Sequence, residues 1–275
     1  MSAPGLSGLG QTLAGRQLGH TVEYHVRLNS TNERALAMGA AGAAHGSVVI
    51  AETQTAGRGR RGGRWQDAPG QGLLLSVVLR PGLDRARWPL LGLGAAWATA
   101  EAIQVTTGAE ARTKWPNDVV IAGTGDSAQS YGKVAGVLVE AGKDFVVVGI
   151  GVNVKVAPAA EVGVGALPAT CLAAHWQREV AREDLLVAFL DRLEIVLGQL
   201  EHAKSAELIA RLCELDITLG MTVTFRVGGQ PIQGMVEQID PTGALVVLGP
   251  QGPLRIVAGE VSLSAAIRSN EVPDT

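Results

Sequence analysis

The stretch Gln54-Thr55-Ala56-Gly57-Arg58-Gly59-Arg60-Arg61-Gly62-Gly63-Arg64-Trp65 puts four arginines within seven positions, in a chain of 275 residues whose formal net charge is -3. Gathering like charges costs free energy, so the cluster implies an anion that neutralises it. A guanidinium fork matches phosphate oxygens two at a time, and glycines let backbone N–H groups approach the same anion. A nucleoside triphosphate or an adenylate fits that description. The bland alternative is a solvated, flexible Arg-Gly loop. Gly57, Gly59 and Gly62 also match the dinucleotide spacing G-x-G-x-x-G, but that fingerprint needs its third glycine at the opening of a helix. The segment Gly63-Arg64-Trp65-Gln66-Asp67-Ala68-Pro69-Gly70 favours no helix, and the reading fails. Single-stranded nucleic acid would ask for a wider basic surface and stacking aromatics. Aromatic residues are 4% of the chain, so no nucleic-acid partner is expected.

Other segments carry chemistry at a distance from the loop. Lys133 stands among small residues, Gly132 before it and Ala135-Gly136 after it, which leave room for a ligand against the backbone. A lone lysine before a strand is otherwise a surface residue. Ser30-Thr31-Asn32 has the side-chain oxygens of a helix cap or of a polar ligand contact. Asn117 either serves a Pro-Asn turn or faces a ligand. Lys114 and Asp118 read equally as a structural ion pair, a charge partner for phosphates or a route to magnesium. Cys171 and Cys213 make no metal or redox spacing.

The elements that must position these groups follow from periodicity. Thr21 to Leu28 alternates like a strand, and a helix is predicted from about Asn32 to Met38. Ser47 to Ala51 and Leu73 to Leu79 are continuous apolar strands flanking the Arg-Gly loop. Pro89 opens a helix that continues through Ile103. Thr113 to Trp115 and Val119 to Ile121 flank the turn Pro116-Asn117, and strands follow at Val134 to Glu140 and Phe145 to Ile150. A polar loop from Ala122 to Gly132 lies between them. One long helical pattern covers residues 182 to about 212. Beyond Ile217 the pattern changes to short strands, Met221 to Val227, Ile232 to Ile239, Ala244 to Leu248 and Leu254 to Val257, the signature of a small β-barrel.

The expected division is a flexible segment 1–20, a catalytic domain 21–214, a barrel domain 215–268 and a tail 269–275. The expected class is α+β, a central mixed or antiparallel sheet backed by helices with a small C-terminal SH3-like barrel. Hydrophobic residues are 47% and charged residues 18%, the composition of a packed globule. The N-terminus lacks the basic start and apolar run of a secretion signal. The apolar stretch Leu90 to Ala100 is too short for a bilayer. A soluble, cytoplasmic protein is expected.

Taken in order, Ser30-Thr31-Asn32, the Gly57-Arg58-Gly59-Arg60-Arg61-Gly62 loop with Trp65, Lys114-Trp115-Pro116-Asn117-Asp118, Gly132-Lys133-Val134-Ala135-Gly136-Val137-Leu138-Val139-Glu140 and Gly149-Ile150-Gly151-Val152-Asn153 resemble biotin protein ligases. The resemblance covers roughly residues 22–265. It implies a class II synthetase-like catalytic fold and a two-step reaction: biotin is adenylated by ATP with magnesium, then passed to a lysine of a biotin carboxyl carrier domain of an acyl-CoA or pyruvate carboxylase. It implies Lys133 and Arg58 as the catalytic pair. Biotin contacts fall on Ser30, Thr31, Asn32, Gln54, Gly57, Arg58, Lys133 and Gly136. Nucleotide contacts fall on Arg58, Arg60, Trp65, Asn117, Lys133 and Asn153. No residue is assigned to magnesium.

Some members carry an N-terminal DNA-binding domain, and about 29 residues before Ser30 are too few for one. The expectation is therefore a monofunctional ligase, monomer or homodimer, with no DNA or membrane partner. The family often has an acidic residue where this chain has Asn29. A lipoate ligase or lipoyl/octanoyl transferase shares the fold and is the rival enzyme. A biotin or nucleotide sensor without transfer is the non-enzymatic rival.

Overall fold

Strands buried at every position need cover on both faces, and Ser47–Ala51 and Leu73–Leu79 find it as inner strands of a seven-stranded sheet. The structure is a computed structural model that describes residues 15–123, 131–158, 167–176, 178–202, 205–227, 230–257 and 262–263, together with Leu6 and Leu13. The sheet contains β1 (Val22–His25), β2 (Ser47–Ala51), β3 (Gly72–Leu79), β4 (Ala111–Lys114), β5 (Asp118–Ala122), β6 (Tyr131–Ala141) and β7 (Val146–Asn153). Their spatial order is β1-β2-β3-β7-β6-β5-β4. Only β1 and β2 run parallel; the other neighbours are antiparallel.

Alternate residues of the central strands serve two cores. Val48, Ile50, Val77 and Val148 face the main core with the helices α2 (Pro89–Thr107) and α3 (Arg182–Glu201). Val49, Val78 and Val147 face Phe145 and Ala35 of α1 (Thr31–Ala40). Helix α2 starts at Pro89, whose missing N–H costs nothing in a first turn, and is apolar around its whole circumference because it lies between the sheet and α3. A Cβ at Gly94 would collide with Val196, so glycine sets how closely α2 and α3 approach. Among the described residues no helix is long and apolar enough to cross a membrane.

The expected single helix from residue 182 is two, α3 and α4 (Ser205–Leu215). The buried leucines pause between Leu200 and Leu208, and a polar stretch from Glu201 to Ser205 breaks the apolar stripe. The first twenty residues, expected to be loose, include Leu6, Leu13 and Leu18, all wholly buried in the main core. Leu18 N–H donates to Glu194 Oε1 at 3.1 Å, and Arg16 pairs with Asp191. Most of that segment, the loop 124–130 and the tail 269–275 lie outside the described residues. Cys171 and Cys213 are free thiols.

The short strands beyond residue 217 form a five-stranded antiparallel sheet from β8 (Thr222–Val227), β9 (Gln230–Ile239), β10 (Leu245–Gly249), β11 (Gly252–Ile256) and β12 (Ser262–Leu263), in the order β11-β10-β9-β8-β12. The two-residue β12 was not anticipated. This sheet is fastened to the catalytic part beside β4. Ile217 N–H donates to Thr113 O at 2.9 Å, and the Trp115 indole N–H donates to Gly243 O at 3.0 Å. Asp216 is buried at the same junction. Burial pushes its carboxyl above the usual range, while hydrogen bonds from Thr218 and the charge of Lys114 pull the other way.

Candidate active site

The Arg-Gly segment is a tight hairpin. Gly59 N–H donates to Gly63 O at 2.7 Å and Trp65 N–H to Gly57 O at 3.0 Å, with Gly63 N–H closing the turn onto Arg60 O at 2.8 Å. The two central turn residues, Arg61 (φ 53°) and Gly62 (φ 78°), are both left-handed, as the mirror-image hairpin turns require. Asp67 ties the base: its carboxylate accepts from Thr53 Oγ1 at 2.9 Å and from Gln54 N–H at 3.3 Å. Asn29, in the place of the family's frequent acid, accepts Thr55 Oγ1 at 2.9 Å through its side chain.

Beneath the hairpin is a polar floor on an otherwise apolar sheet. The Ser76 hydroxyl lies 2.6 Å from Asn32 Oδ1 and 2.8 Å from Thr31 Oγ1. Thr31 donates to Gln54 Oε1 through its N–H (2.7 Å) and hydroxyl (3.1 Å). Asn32 Nδ2 donates to Glu140 Oε2 at 3.0 Å. Ser30 occupies the cap position of α1 but makes no side-chain cap bond, so its hydroxyl is left to the cavity. On the sheet, Gly136 pairs with Gly151. Gly149 lies between Ser76 and Leu138. A Cβ at Gly149 would strike Asn32 Oδ1, and one at Gly151 would strike the Trp65 indole. Trp65 rests on Gly136 and Gly151, its Nε1 buried with no hydrogen-bond partner among the described residues.

Lys133 reaches this face through a break in register. Val119 pairs with Ala135 and Val120 with Lys133, so Val134 is an extra residue on β6. Val134 and Ala135 both point into the main core, while Lys133 and Gly136 both line the cavity. A bulge switches the phase of a strand in this way. Lys133 Nζ lies 2.6 Å from Asp118 Oδ1 and 5.9 Å from the Trp65 ring centroid. Its backbone is held from behind by Pro168 O (2.7 Å) and Thr170 N–H (2.9 Å). Arg58 Nη2 lies 2.6 Å from Glu140 Oε1, and Arg60 Nη1 donates to Asn117 Oδ1 at 3.1 Å.

These groups enclose a cavity of about 520 Å³, within the usual ~300–1,000 Å³ of small-molecule sites. Ser30, Thr31, Asn32, Gln54, Arg58, Arg60, Trp65, Asn117, Lys133 and Gly136, singled out from sequence, all line it. Two others do not. Gly57 is buried in the hairpin base, where a Cβ would meet Trp65 O. Asn153 donates to Thr170 O at 3.0 Å and braces the strand-like segment behind Lys133. Asp118 pairs with Lys133.

Comparison with known proteins bears on the same residues. Residues 24–156 match the Biotin/lipoate A/B protein ligase family, and residues 218–264 match the Biotin protein ligase C terminal domain. A biotin–acetyl-CoA-carboxylase ligase of Paracoccus denitrificans is 35% identical over 86% of this chain and 97% of its own length. The chain belongs to the biotin protein ligase family. A second such ligase, from Mycobacterium tuberculosis, is 34% identical over 84% of this chain and 85% of its own. The solved structure of an Aquifex aeolicus biotin protein ligase in complex with biotin and ATP superposes with a TM-score of 0.73 at 28% identity, over 89% of this chain and 98% of that one. The function is that of a biotin protein ligase, an ATP-dependent ligase; the lipoate alternative is not favoured.

Sequence reading passed over several groups that this site contains. Ser76 is the single polar residue in the run LLLSVVL, which was its signal. Glu140, Gly149 and Gly151 stood inside recognised motifs without a role. Leu167 and Ser262 reach the cavity from segments far along the chain, and nothing local marks them.

Proposed function

We propose that this chain joins biotin to ATP and then to a carrier lysine, with Lys133 and Arg58 carrying the electrostatic work. In the first step a biotin carboxylate oxygen attacks the α-phosphorus, and pyrophosphate leaves with its bond electrons. In the second a neutral lysine amine attacks the acyl carbon of biotinyl-5′-AMP; AMP leaves with the bond electrons, the nitrogen gives up one proton, and the new amide remains. Both steps bring anions together or develop negative charge, so fixed cations lower the barrier. The observation that carries the reading is that Lys133, Arg58 and Arg60 line one cavity with a neutral polar floor.

Ser30, Thr31, Asn32 and Gln54 supply neutral donors and acceptors suited to a ureido ring. Arg58 and Arg60 clamp phosphates from the hairpin, and Asn117 braces Arg60. Trp65 offers an indole face to the bound adenylate, and Asn153 acts on the nucleotide side through the segment behind Lys133. Asp118, a carboxylate lining the cavity, is a hard oxygen donor of the kind magnesium takes, and that ion needs only one or two beyond the phosphates. When bound, it neutralises phosphate charge. The acceptor is a biotin carboxyl carrier domain, the reaction is placed in the cytoplasm, and the protein works as a monomer or homodimer without DNA.

The test is intact mass measurement of a carrier domain after incubation with this protein, biotin and MgATP. The carrier should gain one biotinyl group; an unchanged mass while pyrophosphate is released would rule out the transfer step.

A further inference from the structure

Glu140 stands on the cavity face of β6, on the same side as Leu138 and Gly136, yet no step above uses it. One carboxylate oxygen, Oε1, lies 2.6 Å from Arg58 Nη2 in the hairpin. The other, Oε2, accepts from Asn32 Nδ2 at 3.0 Å. From Asn32 the contacts continue through Ser76 and Thr31 to Gln54, whose N–H meets Asp67 at the far end of the same hairpin. The chain of polar contacts therefore leaves the hairpin at Arg58, crosses the vitamin side of the floor and returns at the hairpin base.

We propose that Glu140 is a positioning residue, a resident counterion that holds Arg58 before the nucleotide binds and releases it to the phosphate afterwards. The Arg58 side chain is 44% exposed and that of Glu140 20%. A pair so open to water contributes little net stability and exchanges easily. A phosphate offers the guanidinium more charge and a two-pronged match, so it wins the competition. The second oxygen of Glu140 stays on Asn32 throughout, which links the state of the hairpin to the floor where biotin is expected. This inference rests on the function proposed above.

The test compares wild type with Glu140→Gln, which can still accept from Asn32 but no longer competes for Arg58. The KM for ATP in biotin-dependent pyrophosphate release should fall about three- to tenfold. Trypsin should nick the ligand-free hairpin several-fold faster, with the melting temperature unchanged. A merely structural role predicts a lower kcat or a higher KM for biotin, and an unchanged or raised KM for ATP overturns the proposal. Arg58→Ala keeps the question open to refutation if Glu140→Gln is unstable, since a proteolysis rate equal to wild type would exclude the ion pair as what holds the hairpin. Arg58→Ala should speed cleavage after Arg60, Arg61 or Arg64 to the same degree, and the double variant should be no faster than either single one. Additive rates overturn the counterion role. Absence of pyrophosphate release by wild type would instead defeat the parent reading and leave the nicking cycle to be judged by itself.

Discussion

Lys133 and Gly136 line one cavity although they stand three positions apart on a single strand, because Val134 is an extra residue against β5. Strict alternation would aim Lys133 into the main core beside Ala135. The bulge instead points the ammonium at Asp118, 2.6 Å away, and over the bare glycine floor.

Lys133→Ala should cut biotin-dependent pyrophosphate release by roughly 100–1,000-fold, the range for losing one aimed electrostatic group. Its melting curve should match wild type, since the side chain is not part of the core. Asp118→Asn leaves the lysine in place but less well held, so a smaller loss of about tenfold is expected. Near-normal release by Lys133→Ala would remove that residue from the mechanism.

Arg58→Ala should loosen the grip on the intermediate. Free biotinyl-5′-AMP, measured by chromatography of the filtrate from a single-turnover reaction, should rise several-fold over wild type. Unchanged leakage would show that the hairpin does not clamp the adenylate through this residue.

Gly149→Ala puts a methyl group where Asn32 Oδ1 now sits. Displacing Asn32 breaks its contact with Ser76 and disturbs Thr31. The KM for biotin should rise more than about tenfold, with stability lowered by about 1–3 kcal/mol from overpacking. Equal effects on biotin and ATP would argue that the floor does not separate the two substrates.

Trp115 is 1% exposed and its only polar atom reaches Gly243 O at 3.0 Å. Trp115→Phe keeps most of the bulk and leaves that carbonyl unsatisfied, at a cost of about 1–3 kcal/mol. Hydrogen exchange should quicken in the turn before β10 and in the strands next to it. Unaltered protection there would mean the C-terminal sheet is held by its other contacts.

Asp240 organises that same turn. Burial pushes its carboxyl up, but the Arg255 guanidinium, the Thr242 hydroxyl and the N–H groups of Thr242 and Ala244 outweigh it and hold the group down at about 2, against an ordinary 3.8. The folded state therefore binds this proton less readily than the unfolded chain, so the stabilisation is complete above the ordinary value and fades as pH falls through the folded one. Asp240→Asn should lower the urea midpoint at neutral pH, and the gap from wild type should close between about 4 and about 2. A gap that stays constant across that window would exclude the carboxylate's charge as its source.

Much of this protein was legible without coordinates. The runs SVVIA and LLLSVVL, apolar but for one serine each, read as strands covered on both sides, and Pro89 marked the start of a largely apolar helix. The arginine cluster announced an anion because its charge had to be answered, and the order of the motifs carried the family. Local chemistry determined these things, since strand pleat, helix turn and like-charge repulsion act within a few residues.

What only the tertiary structure decided depends on groups far apart in the chain meeting in space. Periodicity would have sent Lys133 the wrong way, and the extra residue at Val134 becomes visible only once β5 fixes the register. Asn153, assigned to the nucleotide, is drawn to Thr170 because that segment folds back beside Lys133. Glu140 gains meaning from two partners, Arg58 and Asn32, separated from it by 82 and 108 residues along the sequence. Contacts of that span belong to the packed sheet, whose register chooses which charges become neighbours.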